Sequence, residues 1–249
     1  MQKTKSNTKK TFVYQFETHF HIELATENHE FYFSDKDYLT KSNIFFSQLD
    51  KDYVEVIYLN SQPSIVPSLC FEENIKSKYL DTNTVASKSI VTDTSSDGKI
   101  KVVYSISDEL TELLVKNNLE YSYNNYFTYL YNFLVNKISK SDGFSFYINL
   151  KYKSFDIIIF NNNEFVFFNS FKINDENEFL YYLFFVLKNY ESSNKTDKII
   201  FLGKFDKFKD YYDVASKYSI IDFVDLTNNS SIINDSPFFS IVNENYIRN

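Results

Sequence analysis

The pattern of apolar and polar residues is most regular between residues 144 and 226. Residues 144–150 alternate apolar and polar side chains, as a half-buried strand does, and residues 155–160 form a largely apolar run rich in isoleucine. The asparagines at 161–163 mark a turn, because Asn tolerates positive φ, and residues 164–171 form a third strand. The short turns predict an antiparallel meander of three strands.

Helices and further strands are predicted after the meander. Asp175 and Glu178 form a variant capping box before an apolar helix core at 179–187, which we expect to be buried against a sheet. Residues 198–202 and 220–226 predict strands on either side of a second helix. The order strand-strand-strand-helix-strand-helix-strand is that of one lobe of the actin-like and ribonuclease-H-like folds.

The N-terminal half predicts a looser version of the same order. Strands are expected at 12–16, 20–24, 31–33 and 53–59, with a helix near 43–49. Further elements are predicted at 64–66, 101–105, 108–116 and 125–138. The repeated order indicates two α/β lobes, each with a mixed sheet, that arose by duplication.

The chain is long enough for two small lobes, since its 249 residues can bury ample core. We expect a flexible N-terminus at 1–10 and an N-terminal lobe at 11–125 with a polar loop near 82–99. A C-terminal lobe at 126–226 and a tail at 227–249 complete the predicted organisation.

Charge and composition exclude several functions. The net charge of −7 and the presence of one arginine, Arg248, disfavour nucleic-acid binding. Cys70 is the one cysteine, so no internal disulfide is expected. Residues 11–17 supply no signal-peptide core, and the longest apolar run, 179–187, is too short to span a bilayer. We therefore expect a cytoplasmic protein without a membrane span.

The three histidines, His19, His21 and His29, lie close together in the sequence. A His-x-His pair on a strand projects both rings from one face and can bind zinc. A turn at residues 27–28 would pair Leu24 with Phe31, which places His29 on the opposite face from the other two. The sequence therefore favours ordinary strand histidines over a metal site.

Carboxylates are candidates for two-metal nuclease chemistry of the ribonuclease-H type. That chemistry needs several carboxylates that converge at the ends of the first strands. The strand at 144–150 carries none, and Asp156 stands alone on the next strand. We interpret Asp156 as a carboxylate next to a turn or on an edge strand.

Glycine is absent from the turns that would approach a bound phosphate. Glycine lets the backbone come close to phosphate oxygens, yet neither residues 17–19 nor residues 149–154 contain one. If a nucleotide does bind, the candidate contacts are Lys151, Lys153, Ser154 and Gly203.

Four segments, at 154–160, 168–171, 178–186 and 200–203, resemble an uncharacterised bacterial family, domain of unknown function 3822. The similarity extends upstream to residues 62–67 and covers most of residues 11 to 226. The resemblance implies a two-lobed actin-like ATPase fold, akin to cell-division and pilus-assembly actin-like proteins. It implies no established activity and no catalytic residues.

The sequence thus predicts a catalytically degenerate scaffold, or pseudo-ATPase, that binds another protein and needs no cofactor. The alternative is a nucleotide-binding actin-like ATPase or kinase that uses ATP and Mg²⁺. A metal-dependent nuclease is a third, weaker interpretation. The turns without glycine favour the first interpretation over the second.

Overall fold

A computed structural model describes residues 10–24, 27–49, 53–59, 62–80, 89–137, 143–190, 197–226 and 237–247. The chain divides into two compact units, Met1–Asn132 and Phe133–Asn249. Among these described residues, no helix is both long and apolar enough to cross a membrane.

The first unit is built around a five-stranded mixed sheet. The strands of the unit are β1 (Lys10–Gln15), β2 (His19–Glu23), β3 (Asn28–Tyr32), β4 (Tyr53–Tyr58), β5 (Ser64–Pro67), β6 (Ser89–Thr94), β7 (Ile100–Ile106) and β8 (Glu120–Asn125). Its helices are α1 (Tyr38–Gln48), α2 (Asp108–Lys116) and the start of α3 (Tyr126–Lys137). The sheet order is β3-β2-β1-β4-β8, with β1, β4 and β8 parallel and β2 antiparallel to its neighbours.

Helices α1 and α2 cover one face of this sheet. The core between these helices and the sheet contains Val13, Phe20, Ile22, Phe46, Val54, Val56, Leu110 and Leu114. A second, antiparallel sheet of order β5-β7-β6 is inserted between β4 and α2. Its small core holds Val66, Leu80 and Val103.

The second unit repeats the order of the first. Its strands are β9 (Phe144–Lys151), β10 (Ser154–Asn161), β11 (Glu164–Lys172), β12 (Lys198–Leu202) and β13 (Ile221–Val224). Its helices are α4 (Glu176–Asn189), α5 (Lys209–Ser216) and α6 (Phe238–Ile247). The sheet order β11-β10-β9-β12-β13 matches that of the first unit position by position. The predicted fold class, two mixed sheets with the same element order, is therefore confirmed.

Helix α4 is buried on one side, as its sequence predicts. Phe179 and Leu183 pack into the core that β9, β10 and β12 form with α5. The Asp175 carboxylate caps the helix by accepting hydrogen bonds of 2.9 Å from the backbone N–H groups of Asn177 and Glu178. The Glu178 carboxylate accepts from the Asn174 N–H rather than from that of Asp175.

Two strands differ from the sequence prediction. Strand β8 had no predicted counterpart, because Tyr121 and Tyr123 are its only apolar side chains. Strand β6 lies where we predicted a polar loop. Its residues pair with β7, so the apolar surface that stabilises β6 comes from its neighbour. Residues 82–88 lie outside the described residues.

Candidate functional site

The candidate contacts Lys151, Lys153, Ser154 and Gly203 lie at one edge of the β11-β10-β9-β12-β13 sheet of the second unit, where β9 and β12 end. Lys151 ends β9, Ser154 begins β10, and the exposed Lys153 lies in the turn between them with a φ of 53°. Gly203 directly follows β12, which runs parallel to β9. The edge at the carboxyl ends of parallel strands is where α/β sheets bind ligands.

The side chain of Lys151 is held by a buried carboxylate. Its Nζ lies 2.6 Å from Asp156 Oδ1 and donates to Ser170 Oγ at 3.2 Å. The Asn149 amide donates to the other Asp156 oxygen at 2.8 Å. Asp156 is fully buried, so this network compensates a charge that is costly to remove from water.

The position of Asp156 corrects part of the sequence interpretation. Asp156 is the third residue of β10 after the turn, but β10 lies between β9 and β11, so Asp156 occupies an inner strand and is not an edge carboxylate. It pairs with Asn149 on one side and Ser170 on the other. All three side chains point to the same face, which explains why a buried aspartate is tolerated there.

Gly203 makes room for side chains. Its φ is +72°, and a Cβ at this position would lie 2.6 Å from Phe205 Cε2 and 2.9 Å from Leu226 Cδ1. These two side chains fill the space in front of the glycine. Glycine is thus required here for packing and for the left-handed backbone.

The first hairpin of the first unit, between β1 and β2, has a short turn. The Phe16 N–H donates to the His19 carbonyl at 2.8 Å, which leaves Glu17 and Thr18 exposed at the turn. The buried Gln15 side chain donates to Ser107 Oγ at 2.9 Å, just before α2. The end of β1 is therefore tied to α2 by a hydrogen bond.

A family model described as "Protein of unknown function (DUF3822)" matches residues 3–220. The chain belongs to this family. A protein of unknown function with an actin-like ATPase fold from Bacteroides thetaiotaomicron superposes with a TM-score of 0.68 at 16% identity, over 92% of this chain and 96% of that one. A chain of the PilM-PilN type IV pilus biogenesis complex gives a TM-score of 0.54 at 8% identity, over 88% of both chains. No curated protein matches. The fold is that of the actin-like ATPases.

The actin-like fold of this DUF3822 protein makes ATP and Mg²⁺ the ligands that its residues would have to fit. The side chains at Gly203, at Lys151 and at the turn between β1 and β2 do not fit a triphosphate. Phe205 and Leu226 occupy the space at Gly203, and Asp156 neutralises Lys151. In the first unit the exposed Glu17 places negative charge at the turn.

The histidines of this family member lie on strands β2 and β3. The Leu24 N–H donates to the Glu27 carbonyl, so these residues close the hairpin. Phe31 pairs with Phe20 and not, as predicted, with Leu24, and His29 pairs with Ile22. The predicted faces are confirmed, because His19 and His21 project opposite to His29. No group of three or more His, Cys, Asp or Glu that could hold a metal occurs in the part of the chain that the structure describes.

A pair of buried carboxylates in the first unit was missed by sequence reasoning. Glu55 on β4 contacts the Lys10 ammonium and accepts from the Asn124 amide at 3.2 Å. Burial, together with the negative charge of Asp93, raises the pKa of Glu55 to about 7. The sequence signal was available, since Glu55 interrupts an otherwise apolar strand.

Asp93 anchors the start of helix α3. Its carboxylate accepts hydrogen bonds from the Tyr104 hydroxyl at 2.9 Å, the Asn125 N–H at 2.7 Å and the Thr128 hydroxyl at 2.7 Å. Burial raises the pKa of Asp93, although these three hydrogen bonds oppose the shift. Two of these donors, Asn125 and Thr128, lie at the start of α3, so Asp93 orients this helix, as an anion at a helix N-terminus does.

Proposed function

We propose that this chain is a catalytically degenerate, actin-like protein-interaction module that works without bound nucleotide. The observation that carries the proposal is the ion pair between Lys151 and Asp156. A lysine at this sheet edge would be the natural partner of a phosphate. Here its ammonium is bound by a carboxylate with no solvent exposure, so a phosphate would have to compete with an internal charge.

The packing at Gly203 supports the same proposal. Close approach of phosphate oxygens to the backbone requires open space beside a glycine. Phe205 and Leu226 fill that space, and Tyr212 donates to the Gly203 carbonyl at 3.4 Å. The turn at Gly203 is therefore filled by side chains that belong to the hydrophobic packing of the second unit.

The partner that we propose is another protein. One structural relative, PilM, was solved in a complex with PilN. The net charge of −7 and the presence of one arginine speak against nucleic acid as the partner. We propose a cytoplasmic location, where the exposed thiol of Cys70 would remain reduced.

Nucleotide binding with ATPase or kinase activity is the alternative. The feature that favours it is Lys153, which is exposed at the carboxyl edge of the sheet, beside Ser154. Lys153 Nζ lies 5.5 Å from the centre of the Tyr152 ring, a contact that a phosphate could readily replace.

Thermal unfolding with and without millimolar Mg-ATP distinguishes the two functions. A ligand at 100 times its Kd stabilises a protein by about 2.7 kcal/mol, which is visible as a rise of several degrees in Tm. We expect no rise. The control is Lys153→Ala, which leaves the ion pair between Lys151 and Asp156 intact, measured with and without the nucleotide. A clear rise in the wild type that disappears in Lys153→Ala would establish the alternative.

A further inference from the structure

Helix α4 exposes aromatic side chains on the side away from the core. Tyr181 is 65% exposed and Phe185 is 54% exposed, and their rings stack with centroids 6.4 Å apart. Beside them, the exposed Tyr218 and Ile220 border a groove of about 1120 Å³. Exposed aromatic side chains grouped beside a groove in this way are a candidate interaction surface.

Side chains on this side of the helix form a seam with a regular spacing. The seam consists of the half-buried Glu178 and the exposed Tyr181, Phe185 and Lys188, which follow one another at intervals of three, four and three residues. This is the spacing of a coiled-coil contact, in which two helices cross at about 20°. The 14 residues of α4 give a helix about 21 Å long, enough for all four positions.

The seam is complementary to itself when two helices run antiparallel. Tyr181 lies two residues before Leu183 and Phe185 lies two after it, while Glu178 lies five before and Lys188 five after. A twofold axis perpendicular to α4, at the level of residue 183 along the helix, therefore places Tyr181 of one copy against Phe185 of the other. The same axis brings Glu178 level with Lys188 at both ends, so each end carries opposite charges.

We propose that this seam is an interface between two copies of the chain, with the two α4 helices antiparallel. The hydrogen bonds between the Glu178 carboxylate and Asn174 fix the acidic end of the seam. The adjacent groove, which Phe184 and Tyr218 border, would receive the aromatic side chains of the second copy. Two identical charge pairs, with both members supplied by this chain, favour a second copy over an unrelated partner.

Sedimentation velocity of the full chain over about 1 to 200 µM tests for the dimer. The weight-average mass should rise from the 29.6 kDa of one chain toward twice that value. Phe185→Lys should weaken association at least tenfold, with an unchanged circular dichroism spectrum because the side chain is half exposed. Lys188→Glu should weaken it about fivefold by placing like charges at both ends. A monomer at every concentration would overturn the proposal.

Disulfide trapping tests the antiparallel register independently. Both chains carry Cys70→Ser, because the native cysteine is exposed and would form its own cross-links. One chain carries Tyr181→Cys and the other, with a tag that changes its mass, carries Phe185→Cys. The mixed dimer should form faster than either dimer of identical chains. Preferential cross-linking of identical chains, or equal rates for all three, would reject this arrangement.

Discussion

Breaking the ion pair between Lys151 and Asp156 should destabilise the second unit in an asymmetric way. Removing one partner of a buried pair costs about 3–5 kcal/mol. Lys151→Met should lie near the upper value, because it removes the cation from the fully buried Asp156 carboxylate, and the neutral Asn149 amide cannot replace it. Asp156→Asn should lie near the lower value, because the Lys151 side chain is 24% exposed and its ammonium can reach water.

Urea unfolding followed by circular dichroism measures these losses as a double-mutant cycle. The double variant should be less destabilised than the sum of the single variants by at least about 1 kcal/mol, since the second substitution removes a group whose charge partner is already gone. Lys153→Met, at the exposed turn of the same hairpin, is the matched control and should change stability by less than about 0.5 kcal/mol. Additive losses, within about 0.5 kcal/mol, would refute the ion pair.

Three further outcomes are expected. Leu183→Ala, in the core under α4, should cost about 2–5 kcal/mol in urea unfolding, and a loss below about 1 kcal/mol would mean that α4 is peripheral. Gly203→Ala should cost more than about 1 kcal/mol, because alanine is strained at a φ of +72° and its Cβ meets Phe205, and a neutral result would contradict that packing. Glu55, whose pKa of about 7 in the fold exceeds its ordinary 4.5, should make stability fall as pH rises from 4.5 to 7, by less than about 3 kcal/mol because the Lys10 ammonium favours the charged carboxylate. Urea unfolding of Glu55→Gln at both pH values should lack this slope, and an unchanged slope would contradict the assignment.

Local patterns were sufficient to predict the second unit. The meander of β9, β10 and β11 and the capped helix α4 each follow from short-range signals that agree with one another. The first unit was harder, because β6 and β8 are rich in polar residues and are stabilised by pairing with β7 and β4. Strand pairing over long sequence distances leaves little trace in composition.

The candidate site shows the same limit. The positions of Lys151 and Gly203 at one sheet edge follow from the predicted topology. The ion pair also needs Ser170 and Asn149 on the same face, which depends on strand register and burial. A one-residue slip would turn Asp156 toward the hydrophobic core, so periodicity alone could not assign its partner.

Isothermal titration calorimetry of the wild-type chain with Mg-ATP tests the central claim most directly. We predict no heat beyond that of dilution, because Lys151 is bound to Asp156 and the space at Gly203 is filled. Lys153→Ala provides the matched control for the exposed cation of the same hairpin. A saturable heat with a Kd in the micromolar range, lost in Lys153→Ala, would contradict the claim and make this protein a nucleotide-binding member of its fold.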